Sequence, residues 1–309
     1  MTIEALQKRI KTTRDLRDIV KTMKSLSAVN ILQYDEAQKA LEQYAQIVES
    51  ALQGLLKQGD LKYLPTKRTR AQEKAVVILI GSDNGLVGKF NRDVLTQSDA
   101  FFEKEGTKKS DLTYLLVGKR LASLVKNKGR RVFACYPNAH SAKSVTESAS
   151  LLMSDLDKLM RAHPMQRVFL FYNKRVSGQS ARVQNKQLMP LNPNWIKSLK
   201  EKPWPTNRFP ICSIEKNRLY SEFIKEHLMI TVCGALAMSL AAEYHTRLMN
   251  MQAAEKNIDE NLEIMNLKYQ QERQEAITAE LIDIVSASQA VNEQKNHPSK
   301  RKKIHQPVD

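Results

Sequence analysis

The last third of the chain constrains the fold most, because its sequence is that of one uninterrupted helix. Residues 213–291 contain no proline and a single glycine, Gly234. Apolar residues recur there at the three- and four-residue steps of a helix buried along one side. They are Leu236, Leu240, Tyr244, Leu248, Met251, Ile258, Leu262, Met265 and Tyr269 and, after a polar interruption at 268–275, Ile277, Leu281, Ile284 and Ser288. At about 1.5 Å per residue this helix would be roughly 115 Å long, so we expect another helix to support it.

The first 53 residues, which contain neither glycine nor proline, predict that second helix. Its apolar stripe comprises Ile3, Leu6, Ile10, Leu16, Ile19, Met23, Leu26, Leu41, Tyr44, Val48 and Leu52, with Thr13 at the place of one further member. Two long terminal helices around a different middle segment indicate an antiparallel coiled coil. Two separate amphipathic helices on a globular core remain the alternative on periodicity alone.

The middle of the chain has the composition of a globular insert, since all glycines but one lie in 54–178. The continuous apolar run at 74–81 is typical of a strand buried on both faces. Alternating helix and strand patterns from 91 to 172 predict three β-α-β units and a largely parallel sheet, with an antiparallel edge strand at 181–190. Residues 191–212 are expected to form a proline-rich connector.

The predicted fold class is therefore α/β: a long antiparallel two-helix coiled coil from the terminal segments and an inserted Rossmann-like α/β domain. The expected boundaries are 1–58 for the first coiled-coil helix, 70–210 for the α/β domain and 213–291 for the second coiled-coil helix. A basic, disordered tail is expected at 292–309.

A formal net charge of +16 points to anionic partners, namely nucleic acid, an acidic protein surface or lipid headgroups. A basic helical scaffold that binds nucleic acid is one interpretation, although the aromatic residues of a single-strand platform are missing from the basic segments. No stretch approaches about 18 uninterrupted apolar residues, so no direct membrane insertion is expected. Neither a secretory signal nor a transit peptide is visible, which predicts a cytosolic location.

The glycine loop 81–91 matches neither phosphate-binding pattern. Its glycines fall at 81, 85 and 88, which departs from the dinucleotide fingerprint, and Phe90 replaces the Ser or Thr of a P-loop. We expect a closely packed strand-to-helix turn there and weigh a nucleotide-dependent α/β enzyme only as a minor alternative. No catalytic constellation, cofactor site or metal site is predicted, and Cys135, Cys212 and Cys233 are expected to be buried, reduced thiols. The polar patch at 268–275 is either a solvated face or a contact with a partner protein.

Four segments, in order, resemble the gamma subunit of F-type ATP synthases, the central rotor shaft. They are Arg9-Ile-Lys11 followed by Ile19-Val-Lys-Thr-Met-Lys-Ser-Leu26, then Gly81-Ser-Asp-Asn-Gly-Leu-Val-Gly88 with Asn91, then Leu248-Met-Asn-Met-Gln-Ala-Ala-Glu-Lys-Asn257, and last Arg273-Gln-Glu-Ala-Ile-Thr-Ala-Glu-Leu-Ile-Asp-Ile-Val-Ser286. The last is the most specific, and the resemblance covers residues 3–291. Departures at Asn84, Val87 and Lys89, where the family has arginine, cysteine and glycine, indicate a divergent member.

This resemblance implies a non-catalytic subunit that couples ion flow to ATP synthesis or hydrolysis by rotation. Its implied partners are the alpha and beta subunits of the catalytic hexamer, an epsilon subunit and a membrane ring of c subunits, and it implies a peripheral position on the cytoplasmic face of the cell membrane. By the same resemblance Met23 and Lys24 would face the beta lever region, and Arg273, Gln274, Thr278 and Glu280 would form a polar contact with the hexamer. Catalytic residues would belong to beta and alpha.

Overall fold

The computed structural model describes residues 2–59, 74–139, 141–162, 167–176, 179–206 and 208–296. In this part of the chain there are six α-helices: α1 (Ile3–Lys57), α2 (Phe90–Lys104), α3 (Lys119–Asn127), α4 (Ala142–Ala162), α5 (Pro193–Glu201) and α6 (Lys216–Asn296). The same part has five strands: β1 (Ala75–Ile80), β2 (Leu112–Val117), β3 (Val132–Tyr136), β4 (Arg167–Val176) and β5 (Gln179–Met189). Residues 297–309, most of the expected tail, lie outside the described residues.

The chain forms two compact units. One comprises Thr22–Ala253, and the other comprises the residues up to Lys21 together with those from Ala254 onward. Because α1 and α6 extend beyond these limits, each of the two long helices contributes to both units.

The unit Thr22–Ala253 is built on a sheet with the strand order β3-β2-β1-β4-β5. β1 pairs in parallel with β2 and β4, and β2 pairs in parallel with β3. Only β5 among these strands is antiparallel, and it lies at the edge beside β4. This confirms the predicted Rossmann-like sheet with an antiparallel edge strand.

Helices cover β1 on both faces, which explains its uninterrupted apolar sequence. Val76, Ile78 and Ile80 lie in a core with residues of α1, α4, α5 and α6. The alternate residues, among them Val77 and Leu79, lie in a second core with α2 and α3.

The buried seam of α1 differs from the predicted stripe. Four members of that stripe are exposed, namely Leu16, Ile19, Leu26 and Tyr44. The seam instead follows a seven-residue step with Leu6, Thr13, Val20, Ser27, Tyr34, Leu41, Val48 and Leu55, all of which are buried or half-buried. A seven-residue repeat is the signature of a left-handed coiled coil. The prediction was wrong here because it followed apolar residue types, whereas the seam accepts Ser27 and Tyr34, whose hydroxyls donate to the carbonyls of Met23 and Ala139 at 2.7 and 3.3 Å.

In the unit formed by the terminal segments, α1 and α6 pack against each other. Leu6, Ile10 and Leu262 form its buried core. Polar contacts set the direction, since Arg14 Nη2 donates to Asn266 Oδ1 at 3.5 Å and Arg17 Nη1 pairs with Asp259 Oδ1 at 3.4 Å. Numbers rise along α1 as they fall along α6, so the predicted antiparallel pair is confirmed.

The proline-rich connector contains a helix that was not predicted. α5 begins at Pro193, and the Asn192 side chain caps it by accepting a hydrogen bond from the Asn194 backbone N–H at 2.9 Å. An Asn cap followed by Pro in the first turn is a known helix start. The density of prolines concealed this signal.

The turns after β1 and β2 approach each other closely. A Cβ atom on Gly81 would overlap with Asn91 Oδ1 and would lie 2.6 Å from Leu121 Cβ. The same Asn91 oxygen accepts a hydrogen bond from the Ser82 backbone N–H at 2.8 Å. The glycine is therefore required for packing between the strand ends.

We predict that Gly81→Ala lowers the free energy of unfolding by about 1–3 kcal/mol, the usual cost of overpacking. Gly234→Ala is the control, because its nearest neighbour is Met238 Cε at 3.8 Å and alanine in a helix gains about 0.5–1 kcal/mol over glycine. Urea unfolding of both variants measures the difference. An unchanged midpoint for Gly81→Ala would contradict the packing argument.

Candidate functional site: the uncovered faces of the two long helices

The distal part of α6 is uncovered. From residue 270 to residue 289 every side chain is exposed except that of Glu272, which is half-buried. The continuation of the predicted stripe, Ile277, Leu281 and Ile284, is therefore uncovered in the described part of the chain, with Leu281 at 57% exposure. An apolar helix face of this kind is unusual for a protein that acts alone.

The four predicted contact residues of α6 lie on this uncovered segment, and all four side chains are exposed: Arg273, Gln274, Thr278 and Glu280. Gln274 and Thr278 are one turn apart, and the Thr278 hydroxyl donates to the Gln274 carbonyl at 2.8 Å. Helical spacing also places Leu281 beside Thr278. The structure thus brings polar and apolar groups together on one face.

Met23 and Lys24 belong to the other compact unit, and both are half-buried. Met23 lies three residues before Leu26, which is 59% exposed, so helical spacing puts the two side chains on one face. The structure therefore does not place Met23 and Lys24 in the same unit as the contact residues of α6.

Side chains of the chain itself fill the place where many α/β sheets bind a ligand, the crevice beyond the carboxyl ends of the strands where the strand order reverses. This point lies between β1 and β4. Ala242 of α6 packs there against Val87 and Phe90, and Asn250 Nδ2 donates to the Leu86 carbonyl at 2.9 Å.

Asp83, the one carboxylate in the glycine loop, is used structurally. Its Oδ1 accepts from the backbone N–H of Lys119, the first residue of α3, at 2.8 Å, and its Oδ2 accepts from the backbone N–H of Asn138 at 3.0 Å. Within the described ranges no group of three His, Cys, Asp or Glu side chains could hold a metal ion.

A cleft of about 670 Å³ lies between β5, α5 and the proximal parts of α1 and α6. Trp195 stacks on His227 there with ring centroids 4.3 Å apart. Burial, followed by the charge of Lys186, lowers the pKa of His227 to about 4, and burial also lowers the pKa of Lys186. Because His227 is neutral at physiological pH, Lys186 and Glu49 are the charged groups that line the cleft.

Of the three cysteines that were expected to be buried, only Cys233 is buried. Cys212 is half-buried, and Cys135 is exposed on β3. Burial raises the pKa of the Cys233 thiol to about 11, and partial desolvation by neighbouring groups raises the pKa of the Cys135 thiol although this residue is exposed. Both thiols are therefore mainly protonated at neutral pH and are weak nucleophiles.

Among the described residues, one helix, α6, is long and apolar enough to cross a membrane by length and composition alone. An 18-residue window of α6 has a mean hydropathy of 1.4, and 56% of that window is buried inside the protein. Core helices pass the same test, and Leu236, Leu240 and Ala241 of α6 do pack in the core beneath the sheet.

Sequence reasoning missed a buried polar cluster, formed by Asn138, Glu243 and Arg247. No local motif surrounds Asn138. The four-residue step from Glu243 to Arg247 was the available signal, but on a helix with so many charges it is also the spacing of an ordinary surface ion pair.

Comparison with known proteins gives a consistent family. A family model described as ATP synthase matches residues 2–291. The ATP synthase gamma chains of Geotalea uraniireducens and Geobacter metallireducens are 27% and 28% identical to this chain over 289 residues, with 94% of this chain and 98% of each relative covered.

A chain of the Euglena gracilis mitochondrial ATP synthase, solved with OSCP, F1 and the c-ring in rotational state 3, has a similar fold. The TM-score is 0.62 at 17% identity, and the match covers 98% of this chain and 99% of that one. The family match extends over nearly the whole chain, and the fold agrees with it. This chain therefore belongs to the ATP synthase gamma chain family.

Proposed function

We propose that this chain is the central rotor shaft of an F-type ATP synthase or ATPase. It transmits rotation between a membrane ring of c subunits and a catalytic hexamer of alpha and beta subunits, with an epsilon subunit as a further partner. The chain is a peripheral part of the membrane-bound complex, on the cytoplasmic face. Ion flow through the ring is coupled to ATP synthesis or hydrolysis by its rotation.

The observation that carries this proposal is the uncovered end of α6 on a chain of this family. Five large aliphatic residues are exposed there: Ile277, Leu281, Ile282, Ile284 and Val285. Complete burial of such a side chain is worth about 1.5–3 kcal/mol, and most helical stability comes from tertiary packing. Partner subunits that surround this helix supply that packing.

Within this proposal the polar residues of α6 are contact residues. Arg273, Gln274, Thr278 and Glu280 meet the hexamer, and Met23 and Lys24 on α1 meet the acidic lever of beta. They are arranged on exposed or half-buried helix faces, as such contacts require. None of them acts as a catalyst.

The chain itself is proposed to be non-catalytic. Its strand-end crevice is filled by Ala242 against Val87 and Phe90, and both oxygens of Asp83 accept hydrogen bonds from backbone N–H groups. ATP is bound and hydrolysed by the alpha and beta subunits. The family leaves the alternative of a nucleic-acid scaffold without support.

A co-purification experiment tests the assignment. We expect the isolated chain to show no ATP hydrolysis, and we expect it to form a stoichiometric complex when expressed with the alpha and beta subunits of the same organism. Size exclusion and an ATPase assay provide both readouts. ATP hydrolysis by the chain alone, or failure to assemble, would refute the proposal.

The double substitution of Gln274 and Thr278 by alanine tests the polar contact. A lost hydrogen bond costs about 0.5–1.5 kcal/mol, so we expect slower ATP turnover per complex or weaker assembly with unchanged helical content. Alanine at Gln38 and Gln43 of α1, outside the matched segments, is the control. Equal turnover in the two variants would mean that the polar patch at 268–275 is a solvated face.

Leu281→Asp tests the apolar contact. Because Leu281 is exposed in the free chain, its substitution should change the chain's own unfolding free energy by no more than about 0.5 kcal/mol, while assembly with alpha and beta weakens. Leu151→Asp on α4 is the matched control, with 59% exposure against 57% for Leu281. A complex of normal stability with Leu281→Asp would exclude this face from the interface.

A further inference from the structure

A buried polar cluster on α6 lies next to the carboxyl ends of the strands. Glu243 and Arg247 lie one turn apart, and only 5% and 7% of their side chains are exposed. Arg247 Nη2 donates to Glu243 Oε1 at 2.6 Å. The other carboxylate oxygen, Oε2, accepts from Asn138 Nδ2 at 2.9 Å.

Asn138 connects α6 to the turns at the strand ends. Its amide also donates to the Gly81 carbonyl at 3.0 Å, and its backbone N–H donates to Asp83 at 3.0 Å. Because Asp83 also accepts from the backbone N–H of Lys119, the side chains of Asn138 and Asp83 together join the turns after β1, β2 and β3 to one another and to Glu243.

The other long helix holds the neighbouring residue. The buried Tyr34 of α1 donates its hydroxyl to the Ala139 carbonyl at 3.3 Å. Its ring stacks on Tyr244 of α6 with centroids 5.8 Å apart, and the Arg247 guanidinium lies over the Tyr244 ring at 5.2 Å. α1 and α6 therefore both bind the two-residue segment Asn138–Ala139.

Stability alone does not explain this buried ion pair, because the burial of its two charges costs desolvation free energy. Burial raises the pKa of Glu243 to about 7, while Arg247 and the hydrogen bond from Asn138 oppose the rise. Well-packed apolar residues often stabilise a protein as much as a buried ion pair does. Directional hydrogen bonds define the orientation of a helix more strictly than apolar contacts do. They weaken steeply when the helix turns or slides, whereas apolar contacts tolerate repacking.

We propose that Asn138, Glu243, Arg247 and Tyr34 form a rotational clamp. This clamp fixes α1 around Tyr34, and α6 around Glu243 and Arg247, on the α/β sheet. In the rotor proposed above, the clamp makes the sheet turn with the two helices, so that each step of rotation passes between them without slippage. The four side chains are positioning residues and do not touch a substrate. This inference rests on the proposed function.

Asn138→Ala is the direct test, because it removes the link to α6 and leaves the Glu243–Arg247 pair in place. Asn173→Ala is the matched control. Asn173 is 1% exposed and donates one hydrogen bond to the Phe90 carbonyl at 3.2 Å. Both variants thus lose a buried amide, but only Asn138 bridges the sheet and α6.

The variants are assembled with alpha, beta, epsilon and the c-ring in vesicles, and three quantities are measured: ATP hydrolysis, ions transported per ATP and the midpoint of thermal unfolding. The loss of one hydrogen bond corresponds to about a 2- to 10-fold change in an equilibrium between clamped and slipped states. We expect Asn138→Ala to transport clearly fewer ions per ATP while hydrolysis continues. We expect Asn173→Ala to lower only the unfolding midpoint. A ratio that is unchanged in Asn138→Ala would overturn the clamp.

A milder pair of variants covers the case in which Asn138→Ala does not assemble. Tyr34→Phe removes only the hydroxyl that donates to the Ala139 carbonyl. Tyr114→Phe removes a buried hydroxyl that has no hydrogen-bond partner among the described residues. Fewer ions per ATP in Tyr34→Phe than in Tyr114→Phe supports the clamp, and equal ratios refute it. Failure of the unsubstituted chain to assemble or to couple transport to hydrolysis would instead refute the proposed function.

Discussion

The packing of α6 beneath the sheet is the interaction on which the rest of the structure depends. Val232, Leu236 and Leu240 share a core with Ile78 of β1 and Leu170 of β4. This contact buries one segment of a very long helix against the sheet. Further along, Leu262 of α6 packs against Leu6 and Ile10 of α1, and from residue 270 to residue 289 every side chain except that of Glu272 is exposed. The contacts that α6 makes with the rest of the chain therefore decrease in stages along the helix.

The same packing places side chains of α6 at the switch point of this doubly wound sheet. α6 contributes Ala242 and Asn250 at the carboxyl ends of the strands, where they contact the loop after β1. The glycines of that loop serve the close approach of neighbouring turns, as the contacts of a Cβ atom at Gly81 demonstrate. The loop 81–91 resembles a phosphate-binding turn in its glycine content, but here it packs the sheet against α6.

Much of the fold could be predicted from sequence because its signals are local. The run at 74–81 predicts a strand covered on both faces, and β1 (Ala75–Ile80) is that strand. The seam of α1 could not be predicted from residue types, because it includes the polar residues Ser27 and Tyr34. Their hydroxyls are satisfied inside the fold, that of Ser27 by the Met23 carbonyl of the same helix and that of Tyr34 by the Ala139 carbonyl far along the chain. The functional residues likewise fall into some that could be predicted from sequence and one that could not. The contact residues follow from a resemblance to segments of a family, whereas Asn138 acquires its role from three turns that meet only in the folded chain.

The two faces of α1 show how one helix can serve two kinds of contact. The seam at seven-residue steps uses Val20, Ser27 and Tyr34 inside the chain, which leaves larger aliphatic residues such as Leu16 and Leu26 uncovered. If folding of the chain alone had determined the sequence, the more apolar side chains would be expected on the seam, since burial of a leucine is worth about 1.5–3 kcal/mol. The reverse arrangement is consistent with a sequence that also has to satisfy an external contact. Among the polar seam residues, Tyr34 adds a hydrogen bond to the Ala139 carbonyl and so ties α1 to the turn after β3, whereas the Ser27 hydroxyl donates to the Met23 carbonyl of its own helix.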